Sequence, residues 1–266
     1  MAQGSASKLA GVTALLFDVF GTVVDWRTSV TDELNLRAFR KLSSDLSPEL
    51  KSNLTTLTEA DWGRFAEEWR KTYGRFTGSF NASTDIWKTV DQHHRDSLEE
   101  LLTAWGLEGL YTPSELDSLS LVWHRLAPWP DSPDGLAKLG EKYMTSTLSN
   151  GNLALLQDLN DFGSLGFHKL LSAETFKAYK PAPAVYLGGV RELGREPHQV
   201  AMVAAHIGDL LAARECGLRT VYIDRPHEEA SPQDEKDKLA AKDLIDVWVT
   251  VDEDGLLTLA NKLIGP

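Results

Sequence analysis

The sequence predicts an α/β protein, a parallel and doubly wound sheet with a helical cap inserted after its first strand. Three observations predict it. The run Ala14-Leu15-Leu16-Phe17-Asp18-Val19-Phe20-Gly21-Thr22 is apolar, delivers one carboxylate and breaks at a glycine, as a strand buried on both faces does at its carboxyl end. From Thr28 to about Ala127 the character changes to long amphipathic stretches with little Gly or Pro. After Pro128-Trp129-Pro130, short strand-like runs alternate with helical ones, as in a parallel sheet built from crossovers. The chain therefore divides into a core of residues 11–27 and 128–266 and a cap of residues 28–127.

Each element has its own signal. In the cap, Leu34, Leu36, Ala38, Phe39 and Leu42 recur at helical spacing, as do Trp62, Phe65, Ala66, Trp69 and Tyr73. Trp87, Val90, Leu98, Leu101, Leu102 and Trp105 predict a third helix with room for a fourth, and Leu116 to Leu126 another. Five of the eight tryptophans fall here and Trp26 stands just before it, which suits a compact helical core built from large side chains. Beyond the cap, Asp131 to Glu141 reads as a short helix with Pro133 in its first turn. Tyr143 to Leu148 reads as a strand ending in Ser149-Asn150-Gly151, followed by a helix over Asn152 to Asn160. A strand near Lys169 to Ser172, a helix over Ala184 to Leu193 and a strand over Val200 to Ala205 come next. Asp209 to Cys216 reads as a helix closed by Gly217, and Thr220 to Ile223 and Val247 to Val251 as strands. The charged stretch His227 to Lys242 reads as a solvated loop and surface helix.

Composition excludes several functions. With 266 residues, 42% of them hydrophobic, the chain can bury one large core with an appended module. A net charge of −12 disfavours a nucleic-acid partner, because that mode needs clustered Lys and Arg. Cys216 is the only cysteine, so neither an intramolecular disulfide nor a cysteine-built zinc site is available. Met1 to Ala10 is small and polar with no apolar h-region, and no segment approaches the roughly 18 apolar residues of a membrane span. The expectation is a soluble cytoplasmic protein with a flexible N-terminal tail and no membrane partner.

Four strand ends carry the chemistry: Asp18 to Thr22, Ser149-Asn150, the loop bearing Lys180, and His206 to Asp209. Ligands of open α/β sheets bind just beyond the carboxyl ends of the strands, so these segments share one rim. A magnesium-using phosphatase built on the first strand would want a second carboxylate where Phe20 stands, and the last segment supplies only Asp209. Neither a metal nor a cofactor is expected. Plainer readings exist for each residue. Asp18 also fits a strand-end surface acid, Lys180 a loop lysine, Ser149-Asn150 a turn or helix cap, Arg70 a solvated helix face and Tyr186 a core residue. His93-His94 in the cap faces two ways on a helix, which favours a solvated pair over a metal site.

In order and spacing the four segments resemble the motifs of the haloacid dehalogenase superfamily, from Leu15 to about Ile223. Asp18-Val19-Phe20-Gly21-Thr22, Ser149-Asn150-Gly151, Lys180-Pro181 with Val185-Tyr186, and the cap pair Trp69-Arg70 resemble its type II 2-haloacid dehalogenases. The resemblance implies a Rossmann-like core with a helical cap and a metal-independent hydrolase acting on carbon–halide bonds. Asp18 would attack C2 of a short 2-halocarboxylate, and water activated near Asp209 would hydrolyse the resulting ester to the inverted 2-hydroxy acid. Lys180 would keep Asp18 ionised. Ser149, Asn150 and nearby backbone N–H groups would hold the substrate carboxylate, and Arg70 would receive the halide or clamp that carboxylate. Thr22 and Tyr186 would be supporting hydrogen-bond partners, with Val19 and Phe20 as apolar walls. The fourth motif departs from the pattern, since Ala204, Ala205 and His206 stand where the family carries Ser and Asn. His206 can position water or move a proton, or serve as a buried neutral histidine. Family members are often homodimers, and the apolar cap surface suits that assembly. Two other readings are a phosphatase of the same superfamily and a catalytically silent binding protein.

Overall fold

A computed structural model describes residues 4, 7–229, 236 and 243–265. The chain forms two compact units, residues 1–24 with 128–266 and residues 25–127. Two short strands, β2 (Val24–Asp25) and β3 (Ala127–Pro128), carry the chain out of the first unit and back.

The first unit is built on five parallel strands: β1 (Ala14–Phe17), β4 (Met144–Thr147), β5 (Val200–Ala204), β6 (Arg219–Ile223) and β7 (Val247–Val249). Their order is β4-β1-β5-β6-β7, so β1 lies inside the sheet with β4 on one side and β5 on the other. Phe17 is level with Thr147 and with Val203, which puts three strand ends on one rim. All four residues of β1 are fully buried, which is why the run shows no apolar/polar alternation. Winding reverses about β1, and such a reversal opens a crevice at the carboxyl ends of the flanking strands. Helices Ser132–Gly140, Leu153–Phe162, Pro183–Glu192, Ile207–Glu215 and Gly255–Ile264 complete the unit. The last of these is absent from the sequence reading.

The edge strand β4 is lined by a segment that falls short of a strand. The predicted strand near Lys169–Ser172 appears only as isolated bridges of Ser146 with Lys169 and Ser149 with Ser172. The cause is a side chain in the ladder. The Thr147 hydroxyl donates to Leu171 O at 3.0 Å and accepts from Leu171 N at 2.8 Å, replacing the one rung from Leu171 N to Thr147 O, while Thr147 N still donates to Lys169 O at 3.2 Å and Ser149 N to Leu171 O at 3.4 Å.

The second unit is helical, with helices Trp26–Lys41, Pro48–Thr56, Glu59–Ser79, Val90–Ala104 and Pro113–Ser120 and a 3-10 turn over Leu121–His124. Capping boxes at Thr58/Asp61, Thr89/Gln92 and Thr112/Glu115 start three of them. Trp87 to Trp105 yields a single helix, and Pro48–Thr56 is one the periodicity did not signal. In the first helix the buried stripe is Trp26, Val30, Leu34 and Ala38, an i, i+4 series. Leu36 and Phe39, expected on that face, point to solvent instead, with Phe39 70% exposed. Trp62, Phe65, Trp69 and Trp123 fill the core.

Three further expectations change. His93-His94 is no solvated pair: His94 is buried and stacks on Trp123, while His93 stacks on Phe76. Leu9 is buried, which anchors the end of the expected tail; residues 1–3 and 5–6 lie outside the described residues. Of the stretch read as solvated loop and surface helix, 230–235 and 237–242 also lie outside them, and Glu228 departs from that reading, as shown below. Among the described residues no helix is long and apolar enough to cross a membrane.

Candidate active site

Asp18 follows β1 directly, where the strand runs out of the sheet. Its carboxylate is met from three directions. Lys180 Nζ lies 2.9 Å from Oδ1, while the Thr22 hydroxyl donates to Oδ2 at 2.9 Å and His206 Nδ1 lies 3.1 Å from it. Burial by itself would push this carboxyl up, but the Lys180 ammonium and then His206 outweigh it and hold the group well below the usual carboxylate range. Asp18 is therefore an anion at every working pH.

Thr22 reaches back because the chain turns at Gly21, whose φ of +81° favours glycine. The same hydroxyl accepts from Ala205 N at 2.9 Å, tying the first strand end to the end of β5. Lys180 comes from the loop before helix Pro183–Glu192 and is positioned by Asn150. The Asn150 amide accepts from Lys180 N at 2.7 Å and donates to Lys180 O at 3.3 Å. The sequence reading puts Asn150 at the substrate, whereas here its amide is engaged with the lysine backbone at both ends.

Lys180 also reaches Asp209 Oδ2 at 2.6 Å, and Tyr186 donates its phenol to Asp209 Oδ1 at 2.5 Å. Burial would lower the ammonium, yet Asp18 and Asp209 together hold it above its ordinary value. Tyr186 is fully buried, and burial with the Asp209 charge pushes its phenol far up, so it acts as a donor. Both oxygens of Asp209 are thus engaged inside the site.

Ser149 is buried, and its hydroxyl accepts from Gly151 N at 3.2 Å. The first amide of helix Leu153–Phe162 donates to Glu174 at 3.0 Å. Two of the backbone donors expected to meet an anion there, the amides of Gly151 and Leu153, are therefore turned toward the protein. Val19 and Phe20 are buried apolar walls, and the Phe20 ring packs against Gly151, where a Cβ would lie 3.1 Å from it. Arg70 belongs to the helical unit, half-buried on helix Glu59–Ser79, with its guanidinium 4.4 Å from the Tyr73 ring centre and 5.8 Å from that of Trp26.

Sequence reasoning missed the segment after β6. Arg225 is buried, pairs in bidentate fashion with Asp131 at 2.6 and 2.8 Å, and donates through Nε to Thr22 O. Glu229 accepts from Ile207 N at 2.7 Å, capping helix Ile207–Glu215. Glu228 turns a side chain only 4% exposed toward His206, 3.3 Å from Nε2. The run Arg225-Pro226-His227-Glu228-Glu229 carries no periodicity and reads as an ordinary charged loop, so no signal in the sequence marks it.

Fold and cluster together define a class of enzyme, the hydrolases built on a parallel sheet with a carboxylate at its switch point. The family is shown by the haloacid dehalogenase-like hydrolase family model, which matches residues 12–217; the chain belongs to that family. Among its relatives, the (S)-2-haloacid dehalogenase 4A of Burkholderia cepacia is 28% identical over 229 residues, spanning 82% of this chain and 87% of that one. The crystal structure of a defluorinating L-2-haloacid dehalogenase is 33% identical with a TM-score of 0.78, covering 95% of each chain. Another L-2-haloacid dehalogenase structure is 34% identical with a TM-score of 0.75, covering 95% of this chain and 99% of the other.

Proposed function

We propose that this chain is a hydrolytic dehalogenase of short 2-haloalkanoic acids. The observation that carries the reading is the Asp18 cluster: an anionic nucleophile fixed by Thr22, Lys180 and His206, with the apolar Phe20 two residues on. A phosphoryl-transfer site would use a second acid at that position, whereas a halide leaves as a stable anion without a proton. A small carboxylate as substrate also accords with the dehalogenases among its relatives.

Oδ2 of Asp18 takes two donors and Oδ1 one, which leaves Oδ1 as the attacking oxygen. It displaces halide from C2 from behind, inverting that carbon and forming an ester. Water then adds to the Asp18 carboxyl carbon, and the bond to the substrate oxygen breaks. The product hydroxyl thus carries an oxygen that began in Asp18, and the water oxygen stays in the protein. Asp209 was the expected neighbour of that water, but with both its oxygens on Lys180 and Tyr186 it serves to hold the lysine. His206 is the better acceptor for the water proton, since its Nδ1 already faces Asp18. Ser149 faces the substrate carboxylate, and Arg70, carried over from the family resemblance, supplies the second positive group for carboxylate or halide. The protein works in the cytoplasm, without membrane or nucleic-acid partners, and as a homodimer.

The test is halide release from each enantiomer of 2-chloropropionate in EDTA, repeated with Asp18→Asn. Halide from one enantiomer, lost in the variant, is expected. Silence with both, alongside magnesium-dependent phosphate release from an aryl phosphate, overturns the reading in favour of a phosphatase.

A further inference from the structure

We infer that Glu228 is a positioning residue for the reaction proposed above: it orients His206 and governs the charge of its ring, so that the pair regenerates Asp18 from its ester. The inference rests on the dehalogenase reading for its chemistry, and on geometry for the pairing itself.

The His206 ring spans two carboxylates, with Nδ1 3.1 Å from Asp18 Oδ2 and Nε2 3.3 Å from Glu228 Oε2. Glu228 is seated with some care. Its side chain is 4% exposed and lies over the backbone of Gly21, where a Cβ would collide with the carboxylate. Gly21 therefore meets two demands at once, the positive φ that turns Thr22 back to Asp18 and the bed on which Glu228 lies. On either side the segment is fastened, by Arg225 to Asp131 and Thr22, and by Glu229 to the amide of Ile207, the residue after His206. A carboxylate withdrawn from water needs compensation, and an imidazolium held against it supplies this.

The arrangement changes during turnover. While Asp18 is ionised, both of its neighbouring carboxylates favour a protonated His206. Among the described residues, further charges near this group include Lys180, on the far oxygen of Asp18, Asp209 behind the lysine, and Glu229 at the Ile207 amide. Alkylation of Asp18 removes one anion, and the ring then releases a proton to solvent from Nδ1. Glu228 retains the Nε2 proton, so the neutral tautomer presents the Nδ1 lone pair toward the ester. Water forms a bond to Cγ of Asp18 as one of its protons passes to Nδ1. Collapse breaks the bond between Cγ and the oxygen on substrate C2; that oxygen takes one water proton, and the other stays on the ring. The products are the hydroxy acid, the Asp18 carboxylate and an imidazolium, which is the starting state.

The test compares the wild-type enzyme with Glu228→Gln, which keeps the shape and removes the charge, and with Glu228→Asp. In rapid-mixing experiments with 2-chloropropionate, Glu228→Gln should retain the halide burst while ester hydrolysis slows by about 10²-fold. Mass spectrometry should then find ester accumulating on Asp18, and the acid limb of the hydrolysis rate should move to lower pH, with partial recovery in Glu228→Asp. NMR titration of the His206 ring in the resting enzymes should show it losing its proton at lower pH in Glu228→Gln than in the wild type. Equal slowing of both steps with an unmoved pH profile, or an unchanged His206 titration, overturns the inference. A wild type that releases no halide overturns the dehalogenase reading instead, and the His206 titration still decides whether Glu228 governs the ring.

Discussion

In the helical unit the His94 ring lies stacked on Trp123 at 4.5 Å with Trp69 edge-on, and neither ring nitrogen has a hydrogen-bond partner among the described residues. In the sheet unit the His206 ring lies between Asp18 and Glu228 with both nitrogens facing oxygen. Burial, and after it the nearby His93, Arg70 and His124, drives His94 well below an ordinary histidine, so it is a neutral aromatic plate. His206 is 30% exposed on its side chain and bracketed by anions, the setting in which an imidazole keeps a proton and can later give it up. The same side chain is thus packing material in one unit and a link between two carboxylates in the other. Its neighbours decide which.

The most severe way to break that contrast is at its anionic end. Asp18→Asn removes the proposed nucleophile and one of the His206 partners together, and kcat should fall by at least about 10⁴-fold in a halide-release assay, with no ester found by mass spectrometry. Lys180→Met leaves Asp18 and Asp209 facing each other without their shared cation. A buried charge deprived of its partner costs about 3–5 kcal/mol, to be read as the drop in unfolding free energy in urea. A drop below about 1 kcal/mol would mean that water reaches both carboxylates.

His94→Phe sharpens the other end. It keeps the stack on Trp123 and deletes two unpartnered buried polar atoms, so stability at pH 7 should rise by about 1–2 kcal/mol. The pH dependence should change as well. A histidine neutral when folded but titrating near 6.5 when unfolded takes up a proton only on unfolding, so stability is full above that pH and is lost as the pH falls below it. His93, lowered by burial to about 4, acts in the same direction between those two values. Denaturation curves at pH 7 and pH 5 should therefore show a smaller loss in His94→Phe than in the wild type. Equal losses would assign the acid sensitivity to His93 and other groups.

How much of this was legible in the sequence depends on how local the signal was. β1 and its aspartate were plain, because a strand buried on both faces leaves an unbroken apolar run. Thr22, Lys180, Tyr186 and Asp209 all reach the Asp18 cluster, since Thr22 and Lys180 sit in turns at the rim and Tyr186 and Asp209 in the first turns of the helices that follow it. The buried stripe of helix Trp26–Lys41 was only half legible: Leu36 and Phe39 fit the spacing of a broader face than the one that packs. His94 could not be read, because stacking on Trp123 is a contact between residues 29 apart in sequence. Glu228 was hidden for the same reason. Nothing in a run of charged residues shows that one of them turns inward over a glycine two hundred positions earlier.

The hydroxyl of Thr147 has a consequence outside catalysis. A parallel sheet has two margins, and an open margin offers its amides to any extended chain that passes, including another copy of the same protein. Along β4 that offer is taken up by residues 169–173, whose backbone pairs with Thr145, Thr147 and Ser149 except at Leu171 N, which turns to the Thr147 hydroxyl. An incoming strand would find those positions on β4 filled. The threonine that interrupts this sixth strand leaves the outermost segment one rung short of a continuous template.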